Sequence, residues 1–367
     1  MMNEQEFMPD WFSKPGDSLR ALMLRQGLTA QDVARYLHGG MSALRSLLDG
    51  TGTIDELQAT VLANHLGGSV SFWLDRQANY EVALERAVDR ATAIEGDDWL
   101  LLRVPGDKPR GRLSAESRRS EIRRRLTFFG VGTLKAWEAR YGRICSDTLY
   151  RKSEAFTSDN ASILMWLRCG ELGADLVSTR PWNSRNLQDR LGEIRKLSKV
   201  RRPDLFLPRL KAICAEAGVA VVAKRAPEGC PASGASRIVA PNKAMILLSF
   251  RGLSDDQFWF TVFHEIGHLL LHSDRTFVDS DMDGVNEFER EANEFALRCI
   301  IPEQSTEEFE QLMPAKEDVI RFSVKLGVSP GLIVGQMQYR KMIRQDQLNY
   351  LKRRWKWNQL EHLLEKI

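Results

Sequence analysis

The chain has 367 residues, is 43% hydrophobic and 28% charged, and carries a formal net charge of +3. That length allows two or three domains, each with its own core. No apolar run reaches the roughly 18 residues of a membrane span, and the first residues, MMNEQEFMPDWF, lack the basic start and apolar centre of a secretion signal. Five scattered cysteines (Cys145, Cys169, Cys214, Cys230, Cys299) form no CxxC pair. They argue against a cysteine-based zinc site and fit a reducing, cytoplasmic setting. Charge is uneven along the chain. Residues 1–98 hold 8 basic and 15 acidic side chains, residues 99–225 hold 27 and 13, and the remainder 17 and 21.

Residues 17–95 read as a series of short helices. DSLRALMLRQG stops at Gly27, LTAQDVARYLHGG starts on Thr29 as N-cap, and MSALRSLLDG stops at Gly50. TIDELQATVLANHLGG has Thr53 and Glu56 at capping-box spacing, and a longer helix follows to Gly96. Short helices joined by a glycine-containing turn suggest a helix-turn-helix. The stretch from LTAQDVARYL to FWLDRQANYE resembles the helix-turn-helix of the XRE/Cro repressor family in its HigA-antitoxin-like branch. The resemblance implies that Met41–Leu48 is a recognition helix, with Ser42, Arg45 and Ser46 facing DNA. Phosphate contacts supply much of DNA affinity, and this unit is acidic, so protein docking stands beside DNA binding as its expected role. Modules of this kind commonly pair on two-fold sites, which leaves a homodimer open.

GDDWLLLRVPGDKPRGR, within residues 96–113, has the proline, glycine and charge content of a linker. Residues 114–204 read as a basic helical middle region. Its run Arg118–Arg125 is either a nucleic-acid footprint or a solvated, paired helix face, and no aromatic pattern accompanies it. Residues 205–345 change texture. A helix precedes the short β-rich runs VAVVAKR, SRIV and AMILLSF, and then comes the apolar helix DDQFWFTVFHEIGHLLLH. Residues 346–367 read as a C-terminal helix. The expected fold class is therefore α+β, mostly helical, with an all-α N-terminal part and a small sheet in a C-terminal domain.

His264 and His268 stand four residues apart on that helix, so both imidazoles leave one face and can share a metal ion. Glu265 is placed to act as general base on water, the logic of HExxH zinc peptidases. Gly267 inside the helix costs about 1 kcal/mol against alanine and suggests a close approach. A third ligand is expected from VNEFEREANEFALRCIIP. Phe288, Ala292, Phe295 and Cys299 form its expected buried stripe, and Glu287, Glu291 and Glu294 its charged face. Glu289 lies beside the buried stripe and is the carboxylate aimed inward, with Asn293 one turn on as a hydrogen-bonding support. His272 is a competing ligand, but three donors in line on one helix suit a tetrahedral site poorly.

FHEIGHLLLH followed by EREANEFALRCIIP resembles the ImmA/IrrE family of metallopeptidases. The resemblance implies a zincin-like domain holding one zinc per chain through His264, His268 and Glu289, with Glu265 as base. It also implies that the strand AMILLSF borders the cleft and pairs with an extended substrate. The implied function is a zinc endopeptidase that cleaves a repressor- or antitoxin-type protein in transcriptional, stress or mobile-element regulation. The alternative is a non-catalytic DNA-binding regulator with a structural or sensory metal. Manganese is not separated from zinc by the ligand set alone, although His₂Glu favours zinc.

Overall fold

The computed structural model describes residues 12–107, 111–149, 158–272, 277–279 and 287–365. The expectation about a secretion signal concerns a stretch of which residues 1–11 lie outside the described residues. The fold is α+β and mostly helical. No helix among the described residues is long and apolar enough to cross a membrane. Contacts divide the chain into residues 1–168 and 169–367.

The first unit is helical throughout its described residues: α1 (Pro15–Gln26), α2 (Ala30–Ala34), α3 (Gly40–Asp49), α4 (Glu56–Leu66), α5 (Val70–Arg90), α6 (Gly96–Leu101), α7 (Ala115–Phe129), α8 (Leu134–Leu149) and the beginning of α9 (Ser158–Asp175). Thr29 caps α2 as expected, its hydroxyl accepting the Asp32 N–H at 3.1 Å while the Asp32 carboxylate accepts the Thr29 N–H. Thr53 does not cap α4. Asp55 does, accepting the Gln58 N–H at 2.7 Å, because the carboxylate sits directly before the first helical residue. Gly27 and Gly50 end α1 and α3 in the left-handed region, with φ of 67° and 84°.

Residues 96–104, the first part of the expected linker 96–113, belong to a core instead. A turn of π-helix joins α5 to α6, and Trp99, Leu102 and Val104 enter one core with Val88, Ile122 and Leu126. The run Arg118–Arg125 is paired rather than free. Arg119 reaches Glu85 at 2.5 Å and also Asp89, Arg123 reaches Glu85, Arg118 reaches Asp97 at 2.8 Å, and Arg125 reaches Glu121 at 2.5 Å. The acidic N-terminal stretch and the basic middle thus partly neutralise one another within a single unit. The expected middle region 114–204 is divided after Arg168, inside the continuous helix α9, where the sequence carries no turn signal.

The second unit contains the rest of α9, α10 (Ser184–Asp189), α11 (Leu191–Leu197), α12 (Pro203–Ala215), the strands β1 (Val219–Ala223), β2 (Gly234–Ala240), β3 (Lys243–Leu248) and β4 (Phe277–Asp279), and the helices α13 (Asp255–Leu271), α14 (Glu287–Ile300), α15 (Thr306–Glu310), α16 (Lys316–Leu326), α17 (Pro330–Tyr339) and α18 (Trp357–Leu360). The sheet order is β1-β3-β2-β4, with β1 parallel to β3 and the other pairs antiparallel. One face packs Val219, Val221, Ile246 and Leu248 into the core that also holds Trp259, Phe263 and Ile266 of α13. The other face meets α9, where Gly170 lies against Leu247 and Gly173 against Val222. Cover on both faces explains why VAVVA and AMILL read as continuous apolar runs rather than alternations.

Strand β3, the body of AMILLSF, is central and bonded on both edges. It has no free edge for a substrate, which corrects the expected pairing there. The segment after residue 345 is not one helix either. It is a chain of short turns, held because the Trp355 N–H donates to the Leu253 carbonyl at 2.8 Å and the Asp255 N–H to the Arg353 carbonyl at 2.9 Å. These bonds hold the tail beside the start of α13.

Trp99 is fully buried. Trp99→Ala is expected to lower unfolding stability by about 3–5 kcal/mol in chemical denaturation. A change within about 0.5 kcal/mol would return residues 96–104 to the status of a linker.

Candidate metal centre

Helix α13 is buried along nearly its whole length, with His264, Glu265, Gly267 and His268 all inaccessible. Its expected acidic start is present, but Asp255 and Asp256 are buried too. They bind the chain's own C-terminal segment, Asp255 accepting the Arg353 N–H at 2.9 Å and Asp256 pairing with Lys352 at 2.6 Å. Two anchors at one end thus fix the helix before its histidines are reached.

Helix α14 packs along α13. A Cβ on Gly267 would stand 3.3 Å from Ala292 Cα and 3.1 Å from the Phe295 ring. The close approach suggested by a glycine in this helix is therefore that of α14. The fully buried line of α14 is Ala292, Ala296 and Ile300. Phe288, Phe295 and Cys299, expected as the buried stripe, are only half-buried. The two smallest side chains face α13, so the larger ones lie to the side. Glu289 stands one turn before Ala292 and turns inward.

The three expected ligands converge. His264 Nε2 and His268 Nε2 are 2.9 Å apart, and the Glu289 oxygens lie 3.1 Å from the first and 3.3 Å from the second. Donors bound to zinc at about 2.0–2.1 Å in a tetrahedron stand about 3.4 Å from one another. The cluster is close to that spacing. Among the described residues it is the one group of three or more such side chains that could hold a metal ion. His264 Nδ1–H donates to Asn293 Oδ1 at 3.0 Å, which leaves the Nε2 lone pair facing the cluster.

Protonation favours ligation as well. Burial pushes the His268 imidazole down to about 4, so it is neutral near pH 7. Burial tends to raise the Glu289 carboxyl, but hydrogen bonds with His264 and His268 outweigh it and hold the group at about 2. Neutral imidazole and ionised carboxylate are the forms that bind a metal.

Glu265 is fully buried on the sheet side of α13, against Gly234 at the start of β2. A Cβ on Gly234 would collide with the Glu265 carboxylate and with Thr261. Sequence reading found no role for Gly234, because nothing local marks which glycine faces a buried carboxylate. His272 is not among the cluster donors. Its Nε2 engages Glu291 at 2.6 Å, and its ring packs edge-on against Phe288. Glu291, expected on the charged face, is thereby half inside the structure.

The residues expected to face DNA all lie on α3. Ser42 is exposed, while Arg45 and Ser46 are half-buried. The Ser46 hydroxyl donates to the Ser42 carbonyl at 3.1 Å, and its Cβ fills the space beside Gly52.

Gly267→Val is expected to part α13 from α14 and to lower metal affinity at least tenfold by titration. Asn293→Ala is expected to lower it about 10–100-fold through loss of the His264 hydrogen bond. Gly234→Val disturbs Glu265 instead, so it should retain metal affinity. Metal affinity unchanged in both Gly267→Val and Asn293→Ala would contradict this geometry.

No curated protein matches the chain. Residues 214–335, from the end of α12 into α17, match the family model described as peptidase family M78, IrrE N-terminal-like domain.

Proposed function

We propose that this protein is a zinc-dependent endopeptidase that acts in regulation by cleaving a repressor- or antitoxin-type protein. The observation that carries this reading is the convergence of His264, His268 and Glu289 on one point, with Glu265 buried beside them. The match over residues 214–335 to a peptidase family supports it. His264 and His268 would ligate through Nε2 and Glu289 through its carboxylate. A zinc ion held by these groups supplies Lewis acidity and lowers the pKa of water toward about 7.

Within that scheme Glu265 takes the proton of the attacking water and returns it to the departing amine. Its place against Gly234 holds the carboxylate on the sheet side of α13. Asn293 keeps the His264 proton on Nδ1. Among the described residues the cluster offers three protein ligands, the count of a catalytic zinc site, whereas a structural zinc is closed by four. His272, directly after α13, is engaged with Glu291. The reading as a non-catalytic regulator with a structural metal therefore has less support.

The helices α2 to α4 would serve as the docking module. Exposed Ser42, together with Arg45 and Ser46 on α3, would face DNA or a partner of repressor shape. The pairing of Arg119 and Arg123 with Glu85 and Asp89 leaves less charge for nucleic acid on α7.

Metal analysis by mass spectrometry is expected to find about one zinc per chain, lost in His264→Ala and kept in Glu265→Gln. Cleavage of co-expressed repressor-type proteins should fall at least 100-fold in both variants. Zinc present in the wild type with equal cleavage by Glu265→Gln would remove the peptidase reading.

A further inference from the structure

The second unit carries a group of cations outside the metal centre. The segments around Arg201–Arg202 and Arg353–Arg354 wall one open cavity of about 940 Å³. Several of its charges are already matched. Arg202 pairs with Asp204, Lys352 with Asp256, and Arg353 donates to the Ser198 carbonyl at 2.9 Å with Asp255 4.0 Å away. Arg201, Lys316 and Arg354 also line the cavity. They are exposed, and none has an ion-pair partner among the described residues. Burial pushes the Arg353 guanidinium below its ordinary range; Asp255 opposes this and the neighbouring Arg201 charge adds to it. That wall is short of negative charge.

Three helices begin at this cavity. Pro203, Lys316 and Pro330 line the cavity, and they are the first residues of α12, α16 and α17, helices of 13, 11 and 10 residues. Proline has no N–H to offer, Ser329 already accepts the Leu332 N–H of α17, and Asp204, Glu317 and Asp318 stand in the first turns of α12 and α16, so the side-chain cations rather than the helix ends supply the positive charge of this wall. Tyr350 lines the same cavity and is 68% exposed, which leaves an aromatic face open beside the free cations. The volume lies within the roughly 300–1,000 Å³ of small-molecule sites and exceeds what a lone phosphate fills. No residue of the metal centre lines this cavity. It borders the Asp255 end of α13, and His264 lies nine residues further along, about 13 Å at 1.5 Å per residue.

We propose that this cavity binds a nucleotide, its phosphate taken by Arg201, Lys316 and Arg354 and its base stacked on Tyr350. A free mononucleotide and one unit of a single strand present the same chemistry, since stacking and phosphate contact need no base-specific readout.

The test uses the full chain and its Arg201→Gln/Lys316→Gln/Arg354→Gln variant. Fluorescence anisotropy follows a labelled single-stranded oligo-dT, and calorimetry follows dTMP and inorganic phosphate. The triple variant is expected to keep its melting midpoint and to bind the responding probe at least tenfold more weakly. For the oligonucleotide, the slope of log affinity against log salt should shrink by about 2, at about 0.7 per single-strand phosphate contact. Tyr350→Leu, which removes no charge, should weaken binding as well. Loss of dTMP binding in the triple variant assigns the site to a free nucleotide; loss confined to the oligonucleotide assigns it to a strand. Equal binding by wild type and triple variant, no binding of either probe, or phosphate held as tightly as dTMP with no effect of Tyr350→Leu overturns the proposal.

Discussion

The candidate metal centre depends on how closely α14 can approach α13. Two histidines on one helix define a line, and a third donor must come from a second backbone. Gly267 on α13 and Ala292 on α14 are small enough for the helices to meet with almost nothing between them. That contact carries Glu289, one turn before Ala292, to within hydrogen-bond distance of both imidazoles. A Cβ on Gly267 would stand 3.1–3.3 Å from Phe295 and Ala292, so even a methyl group there presses on α14, and a larger side chain at either position would push the helices apart. The missing Cβ therefore offsets the helix-propensity cost of an internal glycine.

The sheet and the C-terminal segment steady α13. The sheet supplies its floor, and Gly234 of β2 leaves the space that Glu265 occupies. The chain's end supplies an anchor through Lys352 and Arg353 on Asp256 and Asp255. Burial then sets the chemistry by keeping His268 neutral, while hydrogen bonding keeps Glu289 ionised. Position and protonation follow from the same packing.

The local parts of this site were legible in the sequence. The spacing of His264 and His268 depends only on helical geometry, and Glu289 and Asn293 could be singled out by their place on a helix. Thr29 and Gly27 were readable as boundaries for the same reason. Features set by distant partners were not. Trp99 sits among breakers, yet it is buried by α5 and α7. The run LNYLKRRWKW looks helical but is drawn into turns by hydrogen bonds with Leu253 and Asp255. AMILLSF looks like a strand and is one, but its central place in the sheet comes from pairing order, which composition does not encode. Charge shows the same limit. The arginines of α7 stand out in the sequence, yet they are matched by Glu85, Asp89, Asp97 and Glu121, whereas the cations without partners at Arg201, Lys316 and Arg354 are far apart in the chain.

The central claim is that one metal ion sits between α13 and α14. Anomalous diffraction from crystals of the zinc-loaded protein, recorded on both sides of the zinc edge, tests it most directly. The account predicts one peak per chain, about 2.0–2.2 Å from His264 Nε2, His268 Nε2 and a Glu289 oxygen. A peak at other side chains, or the absence of any peak at this cluster, would contradict it.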